Sequence, residues 1–168
     1  CSAEVREMDK FVIENDLFFN NVTGLLKEGH TVTIPVKGWS MLPFIRPEKD
    51  TVTLCGAASY TPEGKEEVSP AAGDIVLFRY QGRFIMHRIL EVRPDGIYRI
   101  QGDGVPKNEE TCRYQDICGK VITINRNGSV PIDPYSKKMM RRLSFWNVFK
   151  PFRRYYSYAY RLSEKLSR

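Results

Sequence analysis

Ser40 and His87 are the two residues whose types and surroundings favour nucleophilic catalysis. Ser40 follows Gly38-Trp39 and precedes Met41-Leu42-Pro43, while His87 ends the apolar stretch Arg83-Phe84-Ile85-Met86. A serine hydroxyl is a weak nucleophile until a neighbouring base accepts its proton, and an imidazole can do this at neutral pH. The pair therefore predicts acyl-enzyme chemistry, provided that the fold brings together two residues that are 47 positions apart.

Short segments of distinctive composition follow one another in order along the chain. They are Gly38-Trp39-Ser40-Met41-Leu42-Pro43, Gly73-Asp74-Ile75-Val76-Leu77-Phe78, His87-Arg88, and Gln101-Gly102-Asp103-Gly104 with Gly119-Lys120-Val121 after it. In type and order these segments resemble the sequence boxes of the type I signal peptidases and the related self-cleaving repressors. The resemblance runs from about Val32 to Ile124. It implies that Ser40 is the nucleophile and His87 the general base.

The resemblance also implies an acid that orients the base. His87 stands where the histidine-type members of the family, rather than the lysine-type ones, carry their base. A histidine base needs a carboxylate on its second ring nitrogen to fix its tautomer and orientation. In this subtype the fourth box supplies that acid, which implies Asp103. Glu109 is the substitute, because the second acidic position of the box falls on the run Asn108-Glu109-Glu110.

The expected substrate is a peptide or protein bound as an extended strand. The apolar residues after the nucleophile are expected to line its groove: Met41, Leu42, Phe44 and Ile45. Many bacterial members of the family have a serine where this chain has Gly38, so the oxyanion hole is expected to use backbone N–H groups, chiefly that of Ser40. The predicted function is a serine endopeptidase that removes a leader or signal segment, with no metal and no cofactor.

Two other functions stay open. A self-cleaving repressor-like regulator would carry a DNA-binding helix-turn-helix and an Ala-Gly or Cys-Gly cleavage site before the serine. Here the Cys-Gly pair, Cys55-Gly56, lies after Ser40, and the residues before Ser40 are too few for that domain. A catalytically inactive protein of the same fold is the second alternative, because the fourth box departs from the family pattern.

The elements that must position these residues are mainly β-strands. Apolar residues at helical spacing, followed by Gly29, predict a helix over residues 3–28. Short strands separated by turns are predicted at 31–36, 51–55, 74–80, 83–92, 97–101 and 117–125. Without long helices between them, they predict an antiparallel, partly closed, β-barrel-like sheet. We expect an N-terminal helix in 1–29, a β peptidase domain in 30–133 and a basic helical tail in 134–168.

The tail differs from the rest of the chain in charge. Residues 134–168 hold ten Lys and Arg and one Glu, a net charge of +9, whereas residues 1–133 carry a net charge of −3. Aromatic and basic residues interleave along the tail, and Pro151 is expected to break or kink its helix. This pattern favours either an anionic membrane surface as partner of residues 136–168 or docking of the aromatics on the β body. Nucleic acid is disfavoured, because no recognition motif accompanies the charge.

The cysteines and the hydropathy bear on the compartment. Cys1, Cys55, Cys112 and Cys118 lack metal-ligand spacing, and their scatter indicates a reducing compartment rather than a disulfide framework. An acylated Cys1, as in a lipoprotein, is the alternative. Because no run of about 18 uncharged apolar residues exists, no transmembrane segment is predicted. We therefore expect a cytoplasmic protein, peripheral at the membrane if the tail binds lipid.

Overall fold

The computed structural model describes residues 16–57, 69–105 and 107–166. Within these residues, eight strands form one antiparallel sheet in the order β1-β2-β7-β3-β4-β5-β6, with β8 paired to β7. The strands are β1 (Val32–Pro35), β2 (Thr51–Gly56), β3 (Ile75–Tyr80), β4 (Arg83–Val92), β5 (Ile97–Gln101), β6 (Glu109–Arg113), β7 (Ile117–Arg126) and β8 (Val130–Ile132). The prediction of a mainly β, antiparallel architecture is confirmed. The sheet is not closed, because β1 and β6 end it on opposite sides.

Two apolar clusters cover the two faces of the central strands. Successive side chains of a strand point to opposite faces, so β3 contributes to both. Ile75 and Leu77 belong to the larger cluster, and Val76 and Phe78 belong to the smaller one. Because both faces are covered, the first four residues of β3 are buried. The alternation continues in β4, and it places His87 and Arg88 on opposite faces.

Strand β6 is the element that the sequence pattern does not reveal. Its residues are Glu-Glu-Thr-Cys-Arg, and Cys112 is the one fully buried member. A polar strand with one buried side chain gives almost no hydrophobic alternation, because its place at the sheet edge demands little burial. The register pairs Ile100 with Glu110 and Gln101 with Glu109. Strand β8 is likewise not among the strands predicted from the sequence.

Helices occur near both ends of the described chain. Helix α1 covers residues 16–27 and places Val22 and Leu26 in the larger cluster. The remainder of the predicted helix over 3–28, before residue 16, lies outside the described residues. None of the described helices is long and apolar enough to cross a bilayer.

The tail forms two helices, as the position of Pro151 predicts. Helix α2 (Lys137–Val148) begins after Ser136, whose hydroxyl accepts a hydrogen bond from the N–H of Met139. A 3-10 turn (Lys150–Phe152) follows, and helix α3 (Arg153–Leu166) continues from it. A proline interrupts a helix because it lacks the amide donor and its ring clashes with the preceding turn.

Candidate active site

Ser40 lies in a loop of consecutive turns between β1 and β2. Gly38 enters the loop with φ of +88°, which favours glycine. The N–H of Leu42 donates to the carbonyl of Trp39, and that of Ile45 donates to the carbonyl of Met41. These turns leave Ser40 half-buried and direct the apolar side chains that follow it into the interior.

The structure therefore corrects the predicted substrate groove. The apolar residues after the nucleophile are at most 4% exposed: Met41, Leu42, Phe44 and Ile45. Hydrophobic burial accounts for this, because three of them belong to the larger apolar cluster: Met41, Phe44 and Ile45. Of the four, only Met41 also borders the cleft beside Ser40. They hold the loop in place rather than form a surface for a peptide.

Gly102 is the point at which Ser40 and His87 meet. A Cβ atom on Gly102 would lie 3.0 Å from Nε2 of His87, 3.1 Å from Cβ of Ser40 and 2.6 Å from the Ser40 carbonyl oxygen. Nε2 of His87 and Cβ of Ser40 are therefore within about 6 Å of each other, since neither distance to the shared point exceeds 3.1 Å. Although both residues are described, no hydrogen bond joins their side chains, so the predicted Oγ-to-Nε2 bond is not formed in this structure.

Glu110 holds the other nitrogen of His87. Its Oε2 lies 3.0 Å from Nδ1, and the two side chains are 13% and 8% exposed. Glu110 can reach His87 across β5, because Glu110 pairs with Ile100 and Ile100 pairs with Ile89, which points to the same face of β4 as His87. This arrangement directs Nε2 towards Ser40, as a general base requires.

The predicted role of Asp103 is wrong, and so is that of its substitute. The carboxylate of Asp103 forms a two-pronged ion pair with Arg88, with Nε to Oδ1 and Nη2 to Oδ2 both at 2.9 Å. Glu109 is directed to Arg99, at 2.7 Å. The β6 register accounts for Glu109, because Glu109 and Glu110 are neighbours on that strand and point to opposite faces. Asp103 is held instead by Arg88, whose side chain lies on the face of β4 opposite to His87.

The pair of Arg88 and Asp103 joins two of the sequence boxes. Both residues are at most 5% exposed, and Nη1 of Arg88 also donates to the carbonyl of Gly73 at 2.7 Å. Although burial lowers the pKa of Arg88, the charge and the hydrogen bonds of Asp103 outweigh burial and raise that pKa above its usual value. The guanidinium is thus a fixed cation that ties the turn at Gly73 to the loop that carries Gly102.

Gly104 completes the contact between that loop and the nucleophile. Its N–H donates to the Ser40 carbonyl at 2.7 Å. A Cβ atom there would lie 3.0 Å from the Trp39 carbonyl oxygen and 3.1 Å from that of Leu42. The glycines of the fourth box are therefore needed for close approach of two backbones.

Helices α2 and α3 contact this same loop. Nε1 of Trp146 donates to the carbonyl of Asp103 at 2.8 Å, and the hydroxyl of Ser157 donates to the carbonyl of Gly104 at 3.4 Å. The ring of Tyr160 lies edge-on to Trp39, with centroids 5.7 Å apart. Part of the tail thus docks on the body beside the site, which is one of the two predicted alternatives.

A cleft of about 170 Å³ adjoins Ser40. It is lined by residues before the nucleophile and by the first half of β4: Val36, Lys37, Gly38, Ser40, Met41, Phe84, Ile85 and Met86. In the described part of the chain, β1 pairs only with β2, and β4 pairs with β5 only from Arg88 onward. Among the described residues, the outer edge of β1 and that of the first half of β4 therefore have no strand partner near the cleft.

The backbone N–H of Ser40 is the expected oxyanion donor. Within the described residues it donates no hydrogen bond, while the Ser40 carbonyl is engaged by Gly104. An uncommitted N–H beside the nucleophile is what stabilisation of a tetrahedral oxyanion requires. The glycine in place of the family's serine, Gly38, contributes no side chain to this task.

Comparison with known proteins leaves this geometry as the basis of any functional argument. A scan against protein-family models finds no match, and a search of curated proteins finds no significant similarity. What the site can do chemically follows from its parts: a serine, an imidazole with one nitrogen fixed by a carboxylate, and a free N–H. These are the parts of acyl-transfer catalysis.

Proposed function

We propose that this chain is a serine endopeptidase in which Ser40 is the nucleophile, His87 the general base and Glu110 the acid that orients the base. The observation that carries the proposal is the convergence on Gly102 of the Ser40 side chain and Nε2 of His87, with Nδ1 held by Glu110 at 3.0 Å. A lone serine or a lone buried histidine would be ordinary. Their meeting around a glycine that permits it supports a catalytic role.

The reaction has two steps, acylation of Ser40 and hydrolysis of the acyl-enzyme. His87 accepts the Ser40 proton at Nε2 as Oγ attacks the substrate carbonyl, and the resulting oxyanion is stabilised by the N–H of Ser40. The protonated imidazole then gives its proton to the leaving amine, which leaves an acyl ester on Ser40. Water, deprotonated by His87, then attacks the ester, and the protonated His87 returns that proton to Oγ of Ser40 as the ester C–O bond breaks and the acid is released.

The substrate is an extended peptide that adds as a strand between the edges of β1 and β4. The cleft of about 170 Å³ at Ser40 supports a small side chain next to the scissile bond. The resemblance to signal peptidases supports a leader or signal segment as the part removed.

Three described cysteines are free thiols, and burial raises the pKa of each: Cys55, Cys112 and Cys118. They support a reducing compartment, so we place the reaction in the cytoplasm.

A peptide-library digest read by mass spectrometry tests this function. The full chain should cut a subset of peptides, with small residues before the cut, and Ser40→Ala should cut none. Cleavage that persists in Ser40→Ala would refute the assignment of the nucleophile. In the same samples, mass loss of the protein itself, absent from Ser40→Ala, would favour the self-cleaving alternative. A folded wild type that cuts neither peptides nor itself would favour the inactive one.

A further inference from the structure

A second cavity lies between α2 and the β body, away from the cleft at Ser40. Its volume is about 1160 Å³, and we call it the basic groove because five cationic side chains line it: Arg46, Arg126, Lys138, Arg141 and Arg142. No part of the proposed catalytic reaction uses this groove. Its lining has the composition of a site for an anionic ligand.

Among the described residues, Asp50 is the carboxylate that forms ion pairs with two of these cations. Asp50 accepts from Nη2 of Arg46 at 3.0 Å and from Nη1 of Arg126 at 2.8 Å. The other three cations form no ion pair among the described residues: Lys138, Arg141 and Arg142. Within the described part of the chain, five cationic side chains line the groove, and two of them are paired to one carboxylate.

The excess of positive charge in the basic groove contributes to a lowered pKa of Arg126. Burial lowers the pKa of this guanidinium, Asp50 opposes that effect, and the nearby charges of Arg46 and Arg142 lower the pKa further. A bound anion would relieve this repulsion. Ordinary arginines in water need no such relief, because solvent screens them.

Aromatic side chains continue from the groove to the surface. Phe145 lines the groove and is 67% exposed. Its ring centroid lies 4.8 Å from that of Phe149, which in turn lies 6.3 Å from that of Phe152. We call these three residues, which lie at the junction of α2 and α3, the aromatic corner. Phe149 and Phe152 are 40% and 60% exposed.

We propose that the aromatic corner docks on a bilayer that contains anionic phospholipid, with a lipid phosphate bound in the basic groove. Exposed phenyl rings gain free energy on leaving water for the headgroup region, and neighbouring cations are attracted to its negative surface. A groove that joins a cationic wall to an apolar mouth matches the chemistry of a phospholipid headgroup with its acyl chains.

Other occupants fit less well. A second copy of this chain docked through the same corner would bring two cationic surfaces together. A nucleic acid would pair with the cations, but a lipid bilayer also gives the exposed phenyl rings an apolar phase to enter. The only acid of the tail, Glu164, is engaged by Lys49 of the body at 2.6 Å, so it does not oppose a negative membrane.

Vesicle co-sedimentation of the full chain tests the charge component. Phosphatidylcholine vesicles with phosphatidylglycerol should bind the protein, those without it should bind weakly, and Ser40→Ala should bind as wild type does. Neutralising Arg141 and Arg142 together, as Arg141→Gln with Arg142→Gln, should weaken binding about thirtyfold. The matched control, Arg93→Gln with Lys107→Gln, removes two exposed cations of the body and should leave binding nearly unchanged.

Tryptophan fluorescence tests the aromatic component. Phe152→Trp should show a blue shift with anionic vesicles and quenching by brominated acyl chains, whereas Tyr114→Trp, on the exposed surface of the body, should show neither. Equal binding of both double variants, or no quenching of Phe152→Trp, would overturn the proposal. The proposal would also be overturned if the protein failed to bind vesicles but bound soluble glycerol phosphate or nucleic acid. A protein that formed a dimer without binding vesicles would overturn it as well. Because every arm can be run with Ser40→Ala, failure here is separable from failure of the peptidase function.

Discussion

His87 and Arg88 are neighbours on β4, and each contacts a carboxylate. The two pairs differ in whether a side-chain nitrogen remains without a hydrogen bond. Arg88 directs Nε and Nη2 to Asp103 and Nη1 to the Gly73 carbonyl, so its donors are committed to holding two loops together. His87 gives Nδ1 to Glu110 and keeps Nε2 beside Ser40. The comparison teaches that the uncommitted atom, rather than the presence of an ion pair, marks the group suited to catalysis.

Removing the charge of Glu110 should have the largest effect on activity. Glu110→Gln can still contact His87 but no longer stabilises the imidazolium, so kcat should fall between about 10²- and 10⁴-fold. Glu109→Gln, next to it on β6 and paired to Arg99, is the matched control and should keep near wild-type activity. Peptide cleavage at several pH values measures both. Equal losses in the two variants would mean that Glu110 has no special role.

Removing the charge of Asp103 should instead reduce stability. Asp103→Asn leaves Arg88 buried without its counter-charge, and such a loss costs about 3–5 kcal/mol of unfolding free energy. Glu91→Gln breaks an ion pair with Arg99 whose side chains are 50% and 30% exposed, so it should cost about 0–1 kcal/mol. Urea denaturation gives both values. A stable Asp103→Asn enzyme with low activity would reverse the roles assigned to the two carboxylates.

A methyl group on Gly102 should disturb both pairs. Its Cβ would lie 2.6 Å from the Ser40 carbonyl oxygen, so the loop must shift. We expect Gly102→Ala to lower kcat/KM about 10²-fold and stability by about 1–3 kcal/mol. Gly24→Ala, a helical position with nothing within 4 Å of the new atom, is the control and should retain activity. Full activity of Gly102→Ala would show that the close approach is not required.

The smallest expected change is a pH dependence: Asp50, a buried carboxylate outside the site, stabilises the protein at neutral pH and loses this contribution in acid. Although burial raises the pKa of Asp50, hydrogen bonds from Arg46 and Asn127 and the charge of Arg126 outweigh burial and lower that pKa. Its contribution to stability is therefore present above the unfolded-state pKa and is lost as the pH falls through the folded-state pKa. Denaturation midpoints across acid pH should fall more steeply for wild type than for Asp50→Asn. Parallel curves would contradict this.

The sequence predicts the strands that are recognisable from their buried apolar residues. It does not predict which side chains face each other, because that depends on the strand register. Six predicted strands are present, because residues such as those of β3 are apolar enough to be recognised alone. The choice between Glu109 and Glu110 depends on which of them faces His87, and one residue of slip in β6 exchanges them. The polar edge strand that carries both leaves no pattern. The run Asn108-Glu109-Glu110 was the available signal, and it identifies the segment without identifying the residue.

The same limit explains why the substrate groove predicted beside Ser40 is wrong and why the sequence alone could not say which tail residues dock. Apolar residues after a nucleophile can line a cleft or fill a core, and only the turns from Trp39 to Ile45 decide that they fill the core. Composition likewise cannot divide the tail into the residues that dock, such as Trp146, and those left exposed, such as Phe152. That division depends on where α2 lies against the body.

Covalent labelling by a fluorophosphonate tests the central claim most directly, because it needs no knowledge of the substrate. Intact mass and peptide mapping should find one adduct on wild type, located at Ser40. Ser40→Ala should remain unlabelled, and Glu110→Gln should label slowly while Glu109→Gln labels as wild type does. An adduct on another serine, or a folded wild type that does not react, would contradict the assignment of Ser40, His87 and Glu110 as a catalytic unit.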